Sequence, residues 1–275
     1  MSKRSPLAAV FLTVVIDLLG FGIVLPLLPQ YADAYGAESW VITLLFISFS
    51  VMQFLTAPLW GRLSDSIGRR PVMLVGLAGS VASYVLFGLA PATPWPMTLL
   101  FVSRIVAGVF GGTISTAYAY IADVTKPEER ARGMALIGAA FGIGFTIGPA
   151  LGGLGHRISD MAPGFIAAGL SLAALLFAWR ALTEPERQAD NRARKWLDID
   201  ALVGALTTKG VGAILLSSFI AVSCFGLLES TLALLGKKRY GFEPFEVGLL
   251  FSYLGFWSVI SQGYIVRKLL ARVGE

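Results

Sequence analysis

The chain has 275 residues, 56% of them hydrophobic and only 14% charged, with a mean hydropathy of +0.73. Water-soluble domains carry about 25% charged residues, so most of this surface faces lipid, and disorder, a coiled coil and a disulfide-bonded miniprotein are excluded. The single cysteine, Cys224, rules out an internal disulfide and a Cys-x-x-Cys metal site, and the net charge of +5 sits in short patches between apolar runs rather than on one nucleic-acid-binding face.

A helix needs about 20 apolar residues to cross the hydrocarbon layer. Eight runs meet that length, near 8–32, 39–61, 71–91, 96–122, 132–153, 163–183, 210–236 and 245–267. They are continuous, unlike the alternating strands of a membrane barrel, so the expected fold is an all-α membrane protein. Lys3 and Arg4 precede the first run, but Asp17 interrupts it and no small-x-small cleavage site follows promptly, which predicts an uncleaved span. Asp17 has Gly20 and Val24 on its helical face and Gly22, Pro26 and Pro29 nearby. Hydrocarbon disfavours a lone charged carboxylate unless a cation or water offsets it, which makes Asp17 a candidate proton carrier; the other reading is a hydrogen-bonded structural acid.

The turn after the second run reads Gly61-Arg62-Leu63-Ser64-Asp65-Ser66-Ile67-Gly68-Arg69-Arg70-Pro71, fitting G-x-x-x-D-x-x-G-R-R. Gly61 allows one helix end to approach its neighbour, Gly68 permits a positive-φ turn, and Asp65 can meet an arginine at the membrane surface. In the fourth run Arg104 is followed by Gly108, Gly111 and Ser115 on one expected helical face, so the guanidinium should face water or a carboxylate beside a stripe that leaves room. Snorkelling towards the nearer surface is the alternative. Asp123 closes that run. The fifth run holds Gly138, Gly142, Gly144, Gly148, Pro149, Gly152 and Gly153. Gly144, Gly148 and Gly152 form a small-xxx-small ridge for close helix contact, and Pro149 favours a bend. His156, beside Arg157 in the next loop, has no partner at metal spacing and is expected to be solvated.

The stretch 184–209 balances five acids against five bases and reads as a solvated linker. It divides the chain into a six-helix bundle at 1–183 and the first two helices of a second bundle at 210–275. Glu229, beside Gly226, Ser230 and Thr231 in the seventh run, can hold a cation or proton, or lie at the headgroup boundary. A faint repeat links the halves: Leu44-Leu45-Phe46 recurs as Leu249-Leu250-Phe251, and Arg62 and Gly68 recur as Arg267 and Gly274. Lysine and arginine cluster in alternate loops (3–4, 62–70, 126–132, 187–209 and 267–272), and the positive-inside rule makes that side, with the amino terminus, cytoplasmic. Lys237, Lys238 and Arg239 fall on the opposite side against the rule.

The turn at 61–71 closely resembles the loop motif of the major facilitator superfamily. The Arg104 run resembles that superfamily's span-four arginine motif, with Ala107 in place of the usual glutamine, and Gly144 to Gly153 resemble its antiporter signature, G-x-x-x-G-P-x-x-G-G. Residues 17–29 (DLLGFGIVLPLLP), Met52-Gln53-Phe54 and the turn are most similar to the tetracycline-resistance efflux branch of the drug/proton antiporters. The resemblance implies a cell (inner) membrane protein that exports small amphipathic compounds in exchange for protons, with Asp17, Arg104 and Glu229 in coupling, an ionic latch between Asp123 and the Asp65/Arg69/Arg70 turn, and Gln53 and Gln262 as substrate contacts. Ser83 and Ser258 stand where that branch carries an aspartate and a histidine, which argues against a metal–tetracycline complex as substrate.

Members of the superfamily have twelve spans, so eight imply either a shortened product or a second polypeptide supplying the missing helices. The alternative function is accordingly a non-transporting membrane protein or partner subunit. No phosphate loop and no nucleophile-His-acid set is present, so neither ATP-driven transport nor enzymatic activity is expected, and no cofactor, resident metal or nucleic-acid partner either. Lipid, protons and a small molecule are the expected partners.

Overall fold

The structure, a computed structural model, describes residues 6–185, 199–208 and 210–260. Every regular element among them is helical. Seven helices are long and apolar enough to cross a membrane: Pro6–Ala34, Ser39–Ile67, Arg69–Ala92, Pro96–Val124, Gly133–His156, Ala162–Ala181 and Val211–Tyr240, here spans one to seven. The eighth expected span is represented by the helix Pro244–Ile260, called span eight. Lys3, Arg4, the linker bases from 187 to 195, Lys209, Gln262 and the basic residues beyond 266 lie outside the described residues.

Two spans are interrupted, and the sequence supplies the reasons. Span one is a helix over Pro6–Val24 and a second over Leu28–Ala34. Pro26 and Pro29 have no N–H to donate, so the ladder cannot run through them, and single bonds such as Tyr31 N–H to the Leu27 carbonyl (2.9 Å) restart it. Span four stops at Val109 and resumes at Thr113. Side chains of span two occupy the carbonyls freed at that break: Thr56 Oγ1 donates to Gly108 (3.3 Å), Trp60 Nε1 to Val109, and Gln53 Nε2 to Gly111 (3.2 Å). In lipid such carbonyls have no water to turn to, so these donors make the break tolerable. The break also moves Ser115 off the stripe expected with Arg104: Ser115 is exposed and donates to the Gly112 carbonyl of its own turn (3.0 Å).

Close backbone approach organises the rest. The glycine ridge of span five lies against span one: a Cβ on Gly144 would stand 2.8 Å from the Leu18 carbonyl oxygen, one on Gly148 2.8 Å from Gly22 Cα, and one on Gly152 2.7 Å from the Ile23 carbonyl oxygen. The other side of span five receives span eight, with Gly153 against Phe245 and Gly255 against the Phe145 backbone, each at 2.7 Å by the same measure. Span five is helical straight through Pro149, whose carbonyl faces Gly248. Within the stretch read as a linker, Glu184 packs against the start of span three, and Ile199–Thr207 is a short helix whose Leu206 carbonyl lies against Gly212.

Candidate functional site

Spans one to five, seven and eight surround a cavity of about 670 Å³ whose wall is mostly apolar, with Phe21, Phe49, Phe110, Phe145, Phe225 and Phe251 among its rings. Its one acidic lining residue is Asp17, 9% exposed. The carboxylate is held by a hydroxyl from another helix, Ser171 Oγ of span six donating to Asp17 Oδ1 (3.2 Å), and Ser80 of span three lines the same wall. Tyr84 lines the same wall, and a Cβ on Gly20, one turn from Asp17, would meet its ring at 3.0 Å. A carboxylate with a fixed donor in a largely apolar chamber can hold a proton or the positive end of a ligand, while the rings supply apolar and cation-π contact.

Arg104 is 2% exposed, and its Nε and Nη2 have no hydrogen-bond partner among the described residues. It lies outside the cavity lining and forms no ion pair with Asp17 in this conformation. The reason is depth: Ala107 and Gly111, one and two turns further along span four, reach the wall, while Arg104 sits nearer that span's opposite end. Nor do the glycines after it leave room. A Cβ on Gly108 would stand 2.7 Å from Met52 Cβ, so the stripe lets span two in. Gln53 lines the cavity with its amide already committed to Gly111. Glu229 falls on span seven, and its side chain, like the whole of Gln262, lies outside what is described.

At one end of the bundle the charged turn is assembled around Arg69. Its Nη1 meets Asp65 Oδ1 at 2.6 Å, one helical turn back, its Nε meets Asp123 Oδ2 at 2.8 Å, and it donates to Ser64 Oγ. Gly68 sits at φ 124° and ψ 155°, a conformation that disfavours any side chain. Glu184 adds a second constraint there. Its carboxylate accepts from the backbone N–H of Arg69 (2.7 Å) and of Arg70 (3.0 Å), capping span three, and its Oε2 would lie 2.7 Å from a Cβ on Gly68. Arg70 reaches the Trp179 carbonyl (2.6 Å), tying the turn to span six. Gly61, expected to serve a close approach, has nothing within 4 Å.

His156 is not free in solvent. Its Nδ1 lies 3.2 Å from the Tyr31 hydroxyl and 3.3 Å from Asp160 Oδ1, at the end opposite the charged turn. Sequence reading had no means of finding Ser171, Ser80, Tyr84 or Glu184: each is an ordinary residue far along the chain from the group it serves, and only the packing of the spans brings them together.

A family model described as Major Facilitator Superfamily matches residues 10–275. The class C tetracycline resistance protein of Escherichia coli is 31% identical over 284 residues, an alignment covering 100% of this chain and 70% of that one. The class G tetracycline resistance protein of Vibrio anguillarum is 34% identical over 287 residues, covering 99% and 70%. Among solved structures, the human organic anion transporter MFSD10 (TETRAN) superposes with a TM-score of 0.71 at 29% identity, covering 97% of this chain and 73% of that one.

Proposed function

We propose that this chain, which belongs to the major facilitator superfamily and is a multi-pass membrane transporter, exports small amphipathic compounds in exchange for protons. The observation that carries the reading is the buried Asp17 carboxylate in the wall of an aromatic chamber of about 670 Å³ that lies between span one and spans seven and eight. A cavity at that place in the fold is where substrate and coupling ion meet when two groups of helices rock about it. The glycine signature of span five and the likeness to tetracycline resistance proteins favour export over uptake. The six spans before the linker act as one bundle in this reading, and Arg104, Glu229 and Gln262 remain candidates for coupling and substrate contact. Efflux of a lipophilic dye from proteoliposomes under an imposed pH gradient tests it. Dye movement that ignores the gradient refutes proton coupling.

The latch around Arg69 supports a gating role for the turn. Asp65→Asn removes one of two carboxylates from Arg69 while keeping its size, so insertion should be unchanged. Gradient-driven efflux should fall about fivefold to tenfold, as expected for the loss of a charge-assisted contact of roughly 1–1.5 kcal/mol. Efflux equal to that of the parent protein, at equal membrane content, would remove the turn from the transport cycle.

The charge pattern of the loops supports a cytoplasmic amino terminus, 62–70 turn and linker. Ser66 is exposed in that turn. In a Cys224→Ser background, Ser66→Cys should react with an impermeant maleimide in inside-out vesicles and stay silent in intact cells. The opposite pattern would reverse the topology.

A further inference from the structure

The end of the molecule opposite the charged turn holds a second cavity, of about 420 Å³, which export through the central chamber leaves unused. Three stretches of chain meet around it: Gln30, Tyr31 and Tyr35 from the last turns of span one, Asp160 from the segment between spans five and six, and Lys237 and Glu243 from the end of span seven and the turn that follows. Part of the wall is fixed by its own contacts. Tyr31 stacks on Phe87, with ring centroids 5.3 Å apart and planes at 10°, and its hydroxyl donates to the Asp160 carbonyl (2.6 Å). The Tyr35 ring stands 6.4 Å from that of Tyr31, at 67°. Gln30 is the exception. It is 3% exposed, yet its Nε2 has no partner among the described residues. A buried amide N–H without an acceptor costs free energy that leucine at the same place would not, so a ligand oxygen in the cavity gives this side chain a reason to be there.

We propose that this cavity is a binding site for a small zwitterion of the phosphoethanolamine type, its acidic oxygens taken by Gln30 and Lys237 and its ammonium by Asp160, Glu243 and the tyrosine rings. The signs of the lining residues select that class. Two carboxylates stand in the wall against one ammonium, which disfavours a bare anion, while Lys237 and the Gln30 N–H disfavour a bare cation. A ligand carrying both charges satisfies both sets. Depth orders them: the Gln30 amide is buried, whereas the Asp160 side chain is 65% exposed and Glu243 is exposed, so the acidic end of the ligand points inwards and the ammonium lies at the mouth. Lys237 Nζ already meets Asp33 Oδ2 at 2.7 Å, but an ammonium carries three N–H groups and can serve a ligand as well. Tyr31 and Tyr35 add cation-π contact for the ammonium. The volume falls within the range of small-molecule sites. At the ends of membrane spans this chemistry is offered by a lipid headgroup or by a free solute, and nothing in the site requires transport for it to fill.

Thermal melting of the 275-residue protein in detergent, with glycerophosphoethanolamine as the probe, tests the site. The parent should melt at rising temperature as the probe is added, since a ligand that binds the folded state stabilises it. Gln30→Leu should melt no lower than the parent without the probe, because it removes an unmade donor, and should need about tenfold more probe for the same shift, as expected for the loss of a hydrogen bond to a charged group. Asp160→Asn combined with Glu243→Gln keeps the amide and removes the acids. It should also weaken the probe about tenfold, while glycerol phosphate, which lacks the ammonium, binds no worse than to the parent. Native mass spectrometry with phosphatidylethanolamine and phosphatidylglycerol of equal chain length separates the sources. Retention of the first over the second by about fivefold or more in the parent, lost in Gln30→Leu, assigns the site to the lipid headgroup. A melting response to the probe with equal retention of the two lipids assigns it to a free solute. No response to the probe together with equal lipid retention overturns the proposal, as does a response that neither variant weakens. Glycerol phosphate acting as strongly as the probe on the parent overturns the zwitterion.

Discussion

Asp17→Asn is expected to abolish proton-driven accumulation while leaving the protein folded and able to bind its substrate. Asparagine has the shape of the aspartate and keeps an oxygen to accept the Ser171 hydroxyl, which now stands 3.2 Å from Oδ1, so the junction of spans one, three and six should survive. What it cannot do is gain and lose a proton. One proton exchanged for one neutral molecule under 100 mV supplies roughly 2.3 kcal/mol, enough for a solute ratio on the order of 50-fold across the membrane. With Asp17→Asn that ratio should fall to about one, and dye quenching on binding should persist. Proteoliposomes with an imposed gradient measure both quantities. If the variant pumps dye as well as its parent, Asp17 is a structural acid and the coupling role passes to Glu229 of span seven.

Much of the scaffold was legible because membrane helices announce themselves by composition and their close contacts by glycine. The positive φ of Gly68 and the seating of Gly144, Gly148 and Gly152 on span one follow from residue type and spacing. The Arg69–Asp123 pair came instead from the family resemblance. What spacing could not disclose was partnership across distant spans. Glu184 looked like part of a charged linker because its role, capping the N–H groups of Arg69 and Arg70, depends on span six returning to the start of span three. His156 looked solvated because Tyr31 meets it only after the ends of spans one and five are brought together, whereas Asp160, four residues on, is a local partner. The Arg104 stripe misled for a different reason. Helical periodicity assumes an unbroken helix, and span four stops at Val109, where span two contributes Thr56, Trp60 and Gln53 to the exposed carbonyls.

The glycine ridge carries the largest expected effect on folding. At Gly148 the neighbour is main chain: a Cβ would stand 2.8 Å from both Cα and the carbonyl carbon of Gly22, and 2.9 Å from the Leu19 carbonyl oxygen. Main chain in a packed helix cannot rotate aside as a side chain would, so even alanine must push spans one and five apart. Gly148→Leu must separate them by the width of a side chain. Insertion of bulk into a packed core costs about 1–3 kcal/mol even where side chains can adjust, and here the strain falls on backbone, so the upper end applies. At roughly 2–4 °C of melting temperature per kcal/mol for a chain of about this size, a loss of about 6–12 °C is expected in detergent, with Gly148→Ala falling between. Gly169 provides the control. Nothing lies within 4 Å of a Cβ there, so Gly169→Leu adds the same apolar bulk to a span without touching a neighbour and should melt within about 2 °C of the parent. Equal melting of Gly148→Leu and Gly169→Leu would mean that the ridge does not hold span five against span one. The chamber wall, which draws Asp17 from one and Phe145 from the other, would then need a different support.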